Sequence, residues 1–128
     1  MSRRHSLGDL QLAIMRVLWR RQEATASEVH LALLADRGLA PTTIATMLQK
    51  MEKKGVVDHR SEGRRFIYRP TISEAQVRSS MVEELTERLF GGDPSALVAH
   101  LLAEQPATAA ELAEIKQRIA AREAREEE

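Results

Sequence analysis

Apolar positions recur at helical spacing through the first part of the chain, alternate over a short stretch, and then return to helical spacing. Leu10, Ile14, Val17 and Leu18 share one face, with Met15 and Trp19 beside them. This predicts a first helix from about Gly8 to Arg21, and Trp19, the only tryptophan, is large enough to anchor a small core. In "ATASEVHLALLADRG", Thr25 and Glu28 have the spacing of a capping box and Gly38 supplies a stop, so a second helix is expected with Val29, Leu33 and Leu34 inward. A third helix should start near Pro41, a favoured first-turn residue, and end at Gly55. With Ile44 at the centre of its buried face, Met47, Leu48 and Met51 follow at helical spacing. Next, "VVDHRS" and "RRFIYRP" have strand periodicity, with a turn expected at Glu62-Gly63 and a stop at Pro70.

From Ser73 onward the pattern is purely helical. Ser73 and Gln76 form a capping box for a helix to about Phe90, in which Val77, Met81, Leu85 and Leu89 are spaced by four. "GGDPS" breaks it, and Asp93-Pro94 opens a helix carrying Leu97, Val98, Leu101 and Leu102. Thr108 and Glu111 cap a last helix with Leu112, Ile115 and Ile119, and the charged tail "AREAREEE" is expected to fray. The expected organisation is a first domain over 7–72, a helical region over 73–122 and a tail over 123–128. Three amphipathic helices in about 50 residues with almost no aromatics make a meagre core. Their stripes need another surface: either the first domain or, favoured here, the same helices of a second copy in a two-fold homodimer.

The polar face of the third helix changes the picture. Opposite Ile44 lie Thr42, Thr46, Gln49 and Lys53, with Thr43 nearer the side. Threonine lowers helix propensity and is a poor choice for a face that is merely solvated. Hydroxyls, an amide and a lysine can donate to base edges and phosphates. Lys50, Lys53 and Lys54 also suit the helix C-terminal dipole, a role that competes with phosphate binding but is compatible with it. Arg60, Arg64 and Arg65 flank the hairpin turn, where phosphate or minor-groove contact competes with simple solvation. Helix, turn, helix and basic hairpin together make the fold class mostly α with a small β-hairpin wing: a winged helix-turn-helix followed by a helical dimerisation region. The expected partner is duplex DNA.

Charge agrees with this division. The 128 residues have a formal net charge of zero, but residues 1–72 hold 13 Lys/Arg against 7 Asp/Glu, and residues 73–128 hold 6 against 12. The excess of six positive charges thus lies on the half that would meet a polyanion. There is no cysteine, which removes disulfides, thiolate metal sites and cysteine nucleophiles. No apolar run approaches the about 20 residues needed to cross a bilayer, and "MSRRHSLGDL" lacks a signal-peptide core, so a cytosolic chain without membrane insertion is expected. His5, His30, His59 and His100 share no ligand spacing, so neither metal nor cofactor is expected. Phosphate loops, nucleophile elbows and metalloprotease helices are absent from the sequence, which argues against an enzyme. Three function classes remain: a dimeric DNA-binding repressor, a winged helix serving only protein interaction, and a ligand-responsive winged-helix regulator. The second has no need of a basic wing, and the third needs a polar pocket that the apolar stripes do not display.

"LGDLQLAIMRVLW", "ATASEVHLAL", "PTTIATMLQKMEKKGVV", "EGRRFIYRP" and "LFGGDPSALVAHLL" occur in the order found in the penicillinase-repressor and methicillin-resistance-regulator family, and the chain resembles that family from Leu7 to about Ile119. The resemblance implies a bacterial repressor that dimerises through its C-terminal helices, each winged helix taking half of an inverted repeat, commonly with a TACA/TGTA core. Thr42, Thr43 and Thr46 match the family's base-reading threonines. Control of beta-lactam or cell-wall stress genes is implied, as is inactivation by a membrane metalloprotease receptor that cuts the C-terminal region. The well-known members carry Asn-Phe at the cut, where this chain has His100-Leu101, and Pro41 stands where an aromatic residue is common. A related copper-sensing branch uses cysteine pairs, which this chain lacks.

Overall fold

The computed structural model describes residues 6–127. Residues 1–5, which include His5 and the start of the segment tested above for a signal peptide, lie outside the described residues, as does Glu128 of the tail. Along the chain run α1 (Asp9–Arg21), β1 (Ala24–Thr25), α2 (Ala26–Arg37), α3 (Pro41–Lys54), β2 (Val57–Glu62), β3 (Arg65–Pro70), α4 (Glu74–Phe90), α5 (Pro94–Glu104) and α6 (Ala109–Glu126). Local chemistry sets most of these limits. The Glu28 N–H donates to Thr25 Oγ1 at 3.2 Å and the Thr25 N–H to Glu28 Oε1 at 2.9 Å, closing the box that starts α2. Gly38 ends α2 at φ +57°, a left-handed conformation that costs glycine little. Pro41 occupies the first turn of α3, and the Ser73–Gln76 and Thr108–Glu111 boxes start α4 and α6.

The sheet holds one strand more than the alternating pattern announced. Its order is β1-β3-β2, all antiparallel, with Ala24 opposite Tyr68 and His59 also opposite Tyr68. β3 is therefore the central strand and both Ile67 and Tyr68 are buried. β1 is only two residues long, too short to show alternation, and it doubles as the cap of α2. The hairpin turn is Gly63-Arg64 rather than Glu62-Gly63, because Glu62 pairs with Arg65. Gly63 takes φ +62° as the first residue of a two-residue loop, where a left-handed hairpin turn favours glycine.

The chain divides into two units, Met1–Leu85 and Thr86–Glu128. In the first, Ile14, Met15, Leu18, Val29, Ile44, Leu48, Met51, Val56 and Val57 are almost wholly buried. Trp19 packs against this core and its indole N–H donates to the Ile72 carbonyl at 2.9 Å. Leu34 departs from expectation: it is 44% exposed, and α2 buries only Val29 fully while Leu33 packs partly. The division also falls inside α4, not at Ser73. Val77 is 2% exposed within the first unit's core and Met81 packs against it. The four-residue stripe is thus split, and its first two members are satisfied within their own chain.

In the second unit, α5 and α6 bury none of their residues. Leu89, Val98, Leu101, Leu102, Leu112 and Ile119 are exposed, while Leu97 and Ile115 are half-buried. The tail expected to fray is helical to Glu126, where Arg122 Nε meets Glu126 Oε1 at 3.0 Å one turn away. No helix among the described residues is long and apolar enough to cross a membrane.

Candidate nucleic-acid interface

α3 is fixed from beneath. Ile44 and Met51, spaced by seven, and Leu48 between them are at most 1% exposed. That anchorage turns Thr42, Thr43, Thr46, Gln49, Lys50 and Lys53 outward, and all six are exposed. Thr43 is as exposed as its neighbours, so it neither caps nor packs. Two long-range bonds secure the helix against α1: the Gln11 amide N–H to Met47 Sδ at 3.4 Å and the Lys54 ammonium to Gln11 Oε1 at 3.0 Å. Lys54 also donates to the Ser6 carbonyl at 2.8 Å, so its charge is committed to the scaffold while Lys50 and Lys53 stay unpaired among the described residues. His30 serves the same frame, its Nε2 lying 2.9 Å from the Leu39 carbonyl in the link between α2 and α3.

The wing arginines differ from one another. Arg60 sits between two carboxylates, 2.9 Å from both Glu23 and Glu62, and these pairs hold its guanidinium still more firmly charged. Arg65 reaches Glu62 at 3.4 Å. Arg64, beside Gly63 at the tip, has no ion-pair partner among the described residues and is exposed. Of the trio, Arg64 alone offers a phosphate an uncommitted guanidinium; Arg60 would have to trade partners. Such exposed pairs contribute little to stability, so the trade costs little. Arg69, not singled out by the sequence pattern, is clamped to Asp58 at 2.6 Å, and that pair holds the Asp58 carboxyl below its usual range.

Two residues at this face escaped the sequence pattern: Glu52 on α3 and His59 on β2. His59 Nδ1 lies 2.5 Å from Glu52 Oε1. The His59 ring stacks on Phe66 with centroids 4.1 Å apart, and Tyr68 lies 5.5 Å away. Burial, and then the Glu52 charge, push the Tyr68 hydroxyl above its ordinary pKa. The signal was latent in the hairpin: a turn centred on Gly63-Arg64 sets His59 opposite Tyr68 and diagonal to Phe66.

A three-helix scaffold, a small antiparallel sheet and a polar helix face exposed beside a basic hairpin define a winged helix of the kind that binds duplex DNA. The profile of the penicillinase repressor family matches residues 7–121, and the chain belongs to that family. It is 30% identical over 111 residues to the penicillinase repressor of Bacillus licheniformis, covering 87% of either chain. It is 38% identical over 98 residues to the transcriptional regulator BlaI of Mycobacterium tuberculosis, covering 75% of this chain and 71% of the relative. Among solved structures, it resembles the monomeric form of Bacillus licheniformis BlaI in complex with the blaP half-operator, at 36% identity and a TM-score of 0.51, covering 59% of this chain and 93% of that one.

Proposed function

We propose that this repressor acts as a homodimer on an inverted-repeat operator, each winged helix taking one half-site. The observation that carries the proposal is the pairing of two exposed faces: a polar one on α3 and apolar ones on α5 and α6. Leu101 and Leu102 are 48% and 50% exposed, which is costly for leucines in a chain that works alone. Leu85, Leu89, Leu97, Val98, Leu101, Leu102, Leu112, Ile115 and Ile119 would meet their counterparts in a second copy, whereas Val77 and Met81 stay in the winged helix. Thr42, Thr43, Thr46 and Gln49 would read base edges. Lys50, Lys53 and Arg64 would contact phosphates, with Arg60 and Arg65 joining once they leave their carboxylates. The relative solved with a half-operator supports the half-site arrangement. The two recognition helices would then lie about one DNA turn, roughly 34 Å, apart.

The regulated genes would be those of a beta-lactam or cell-wall stress response, after the names of the relatives. Induction would follow a cut near His100-Leu101 by a membrane metalloprotease receptor. His100 and Leu101 are exposed in α5, a helix that buries nothing and so unwinds into a protease cleft at small cost. Fluorescence anisotropy on a palindromic duplex, on its half-site and on a random duplex, over a range of salt, tests the DNA and dimer parts together. Steep salt dependence and far tighter binding to the palindrome are expected. Immunoblots during cell-wall-antibiotic stress test induction: a full-length band that persists while target transcripts rise refutes cleavage.

A further inference from the structure

Between the C-terminal half of α3 and the wing lies a cleft of about 330 Å³, lined by Gln49, Glu52, Lys53, His59, Phe66 and Tyr68. Its far wall is aromatic. Phe66 is 47% exposed, and its ring lies nearly parallel to that of His59, at 21°. Its near wall is polar, the exposed Gln49 and Lys53 of α3. A phenylalanine left half in water beside a nucleic-acid face is apolar surface waiting to be covered. Glu52 would repel any phosphate entering the cleft, yet its carboxylate is bonded to His59 and so held against the wing wall.

The chemistry of the occupant follows from the two walls. A recognition helix reads the major groove and a wing reaches toward the neighbouring minor groove. What separates two grooves is one sugar–phosphate strand. That strand is alternately anionic and apolar, matching Lys53 on one wall and the stacked rings on the other. We infer that this cleft seats a deoxyribose–phosphate segment of the operator, the sugar against the Phe66–His59 stack and the phosphate toward Lys53, with the Glu52–His59 bond holding wing and helix at the spacing that admits the backbone. The inference rests on the DNA-binding reading above. It assigns Phe66 a contact that carries no charge and reads no base.

The absence of charge gives the test. Full-length Phe66→Ala should lose about tenfold in affinity for both operator and random duplex, from lost apolar burial. The slope of log K against log salt should not change, whereas Lys53→Ala should reduce it by about 0.9 per lost phosphate contact. Phe66→Leu, which keeps apolar volume without a flat ring, should lose less and guards against misfolding of the alanine variant. Hydroxyl-radical footprinting reads the sugars directly: wild type should protect a deoxyribose pair in each half-site that Phe66→Ala leaves cleavable. Glu52→Gln keeps a hydrogen-bonding group and should bind at least as well as wild type. A Phe66→Ala loss confined to the operator, a changed salt slope, or unchanged sugar protection would overturn the assignment while leaving the repressor intact. A wild-type chain that binds no duplex would overturn both.

Discussion

The two units of this chain spend their apolar residues in opposite ways. The first turns Ile14, Leu18, Val29, Ile44, Leu48 and Met51 inward from three helices and closes the set with Val56, just ahead of β2, and with Val57 and Tyr68 from the sheet. The second is also helical but leaves Leu89, Val98, Leu101, Leu102 and Ile119 in water. Aliphatic content does not separate them, since leucine and alanine are abundant in α5 and α6. Packing does. The helices and sheet of the first unit share one buried cluster, whereas α5 and α6 bury nothing. A unit that encloses its own core can present a polar face to DNA at no cost to folding. A unit that cannot is suited to association.

The most damaging break in this contrast is Leu101→Asp with Leu102→Asp. Two carboxylates on the exposed face of α5 should abolish the dimer in sedimentation at micromolar concentration. Binding to the palindrome should then fall by about 10²- to 10⁴-fold, toward that of a half-site, as the gain from linked half-sites is lost. Next in size is the core. Leu48→Ala should destabilise the first unit by about 2–5 kcal/mol in denaturant melts, because it opens a cavity under α3. Leu102→Ala should leave the melting of that unit unchanged. If the two leucines cost the same, the contrast between enclosed and exposed faces is wrong.

Smaller effects sharpen the DNA face. Thr46→Ala or Gln49→Ala should leave folding intact and cost about 1–3 kcal/mol on the operator with little loss on random duplex. Equal losses on both would make these side chains phosphate positioners. The smallest effect compares two copies of one device. Thr25–Glu28 and Thr108–Glu111 are the same capping box, and in both the bond to the threonine backbone holds the glutamate below its usual pKa. A depressed folded-state pKa means the stabilisation is present at neutral pH and lost as pH falls through the carboxylate range and below. Thr25→Ala should lower the first unit's global stability by about 1 kcal/mol. Thr108→Ala should only speed amide exchange in the first turn of α6, because no buried core propagates the loss.

Much of this was legible along the chain. The helical spacing of Ile44, Met47, Leu48 and Met51 fixed which face of α3 is buried, and with it the outward set from Thr42 to Lys53. Helix spacing is rigid, so one well-anchored position orients every other. Capping boxes at Thr25, Ser73 and Thr108 and the stop at Gly38 were legible because each closes within four residues. Harder to see were features whose partners are distant. β1 is too short to have a period of its own and exists only through pairing with β3. The hairpin turn was displaced by one residue, which moves the partner of His59 from Phe66 to Tyr68. Glu52 and His59 are ordinary surface residues until α3 and β2 bring them together.

The sequence by itself determined the local conformations and the sidedness of each helix, because backbone hydrogen bonds, caps and a 3.6-residue period are short-range constraints. It also determined that the positive charge lies in the first half. Only the tertiary structure decided who covers each apolar face. Val77 and Leu89 share one stripe on α4, yet Val77 is 2% exposed and Leu89 70%. Only tertiary structure decided, too, which arginines are uncommitted: Glu23 reaches Arg60 across 37 positions, while Arg64 at the hairpin tip meets no carboxylate among the described residues. Burial and pairing depend on what folding brings near, and no spacing rule along one helix or strand contains the neighbour from another.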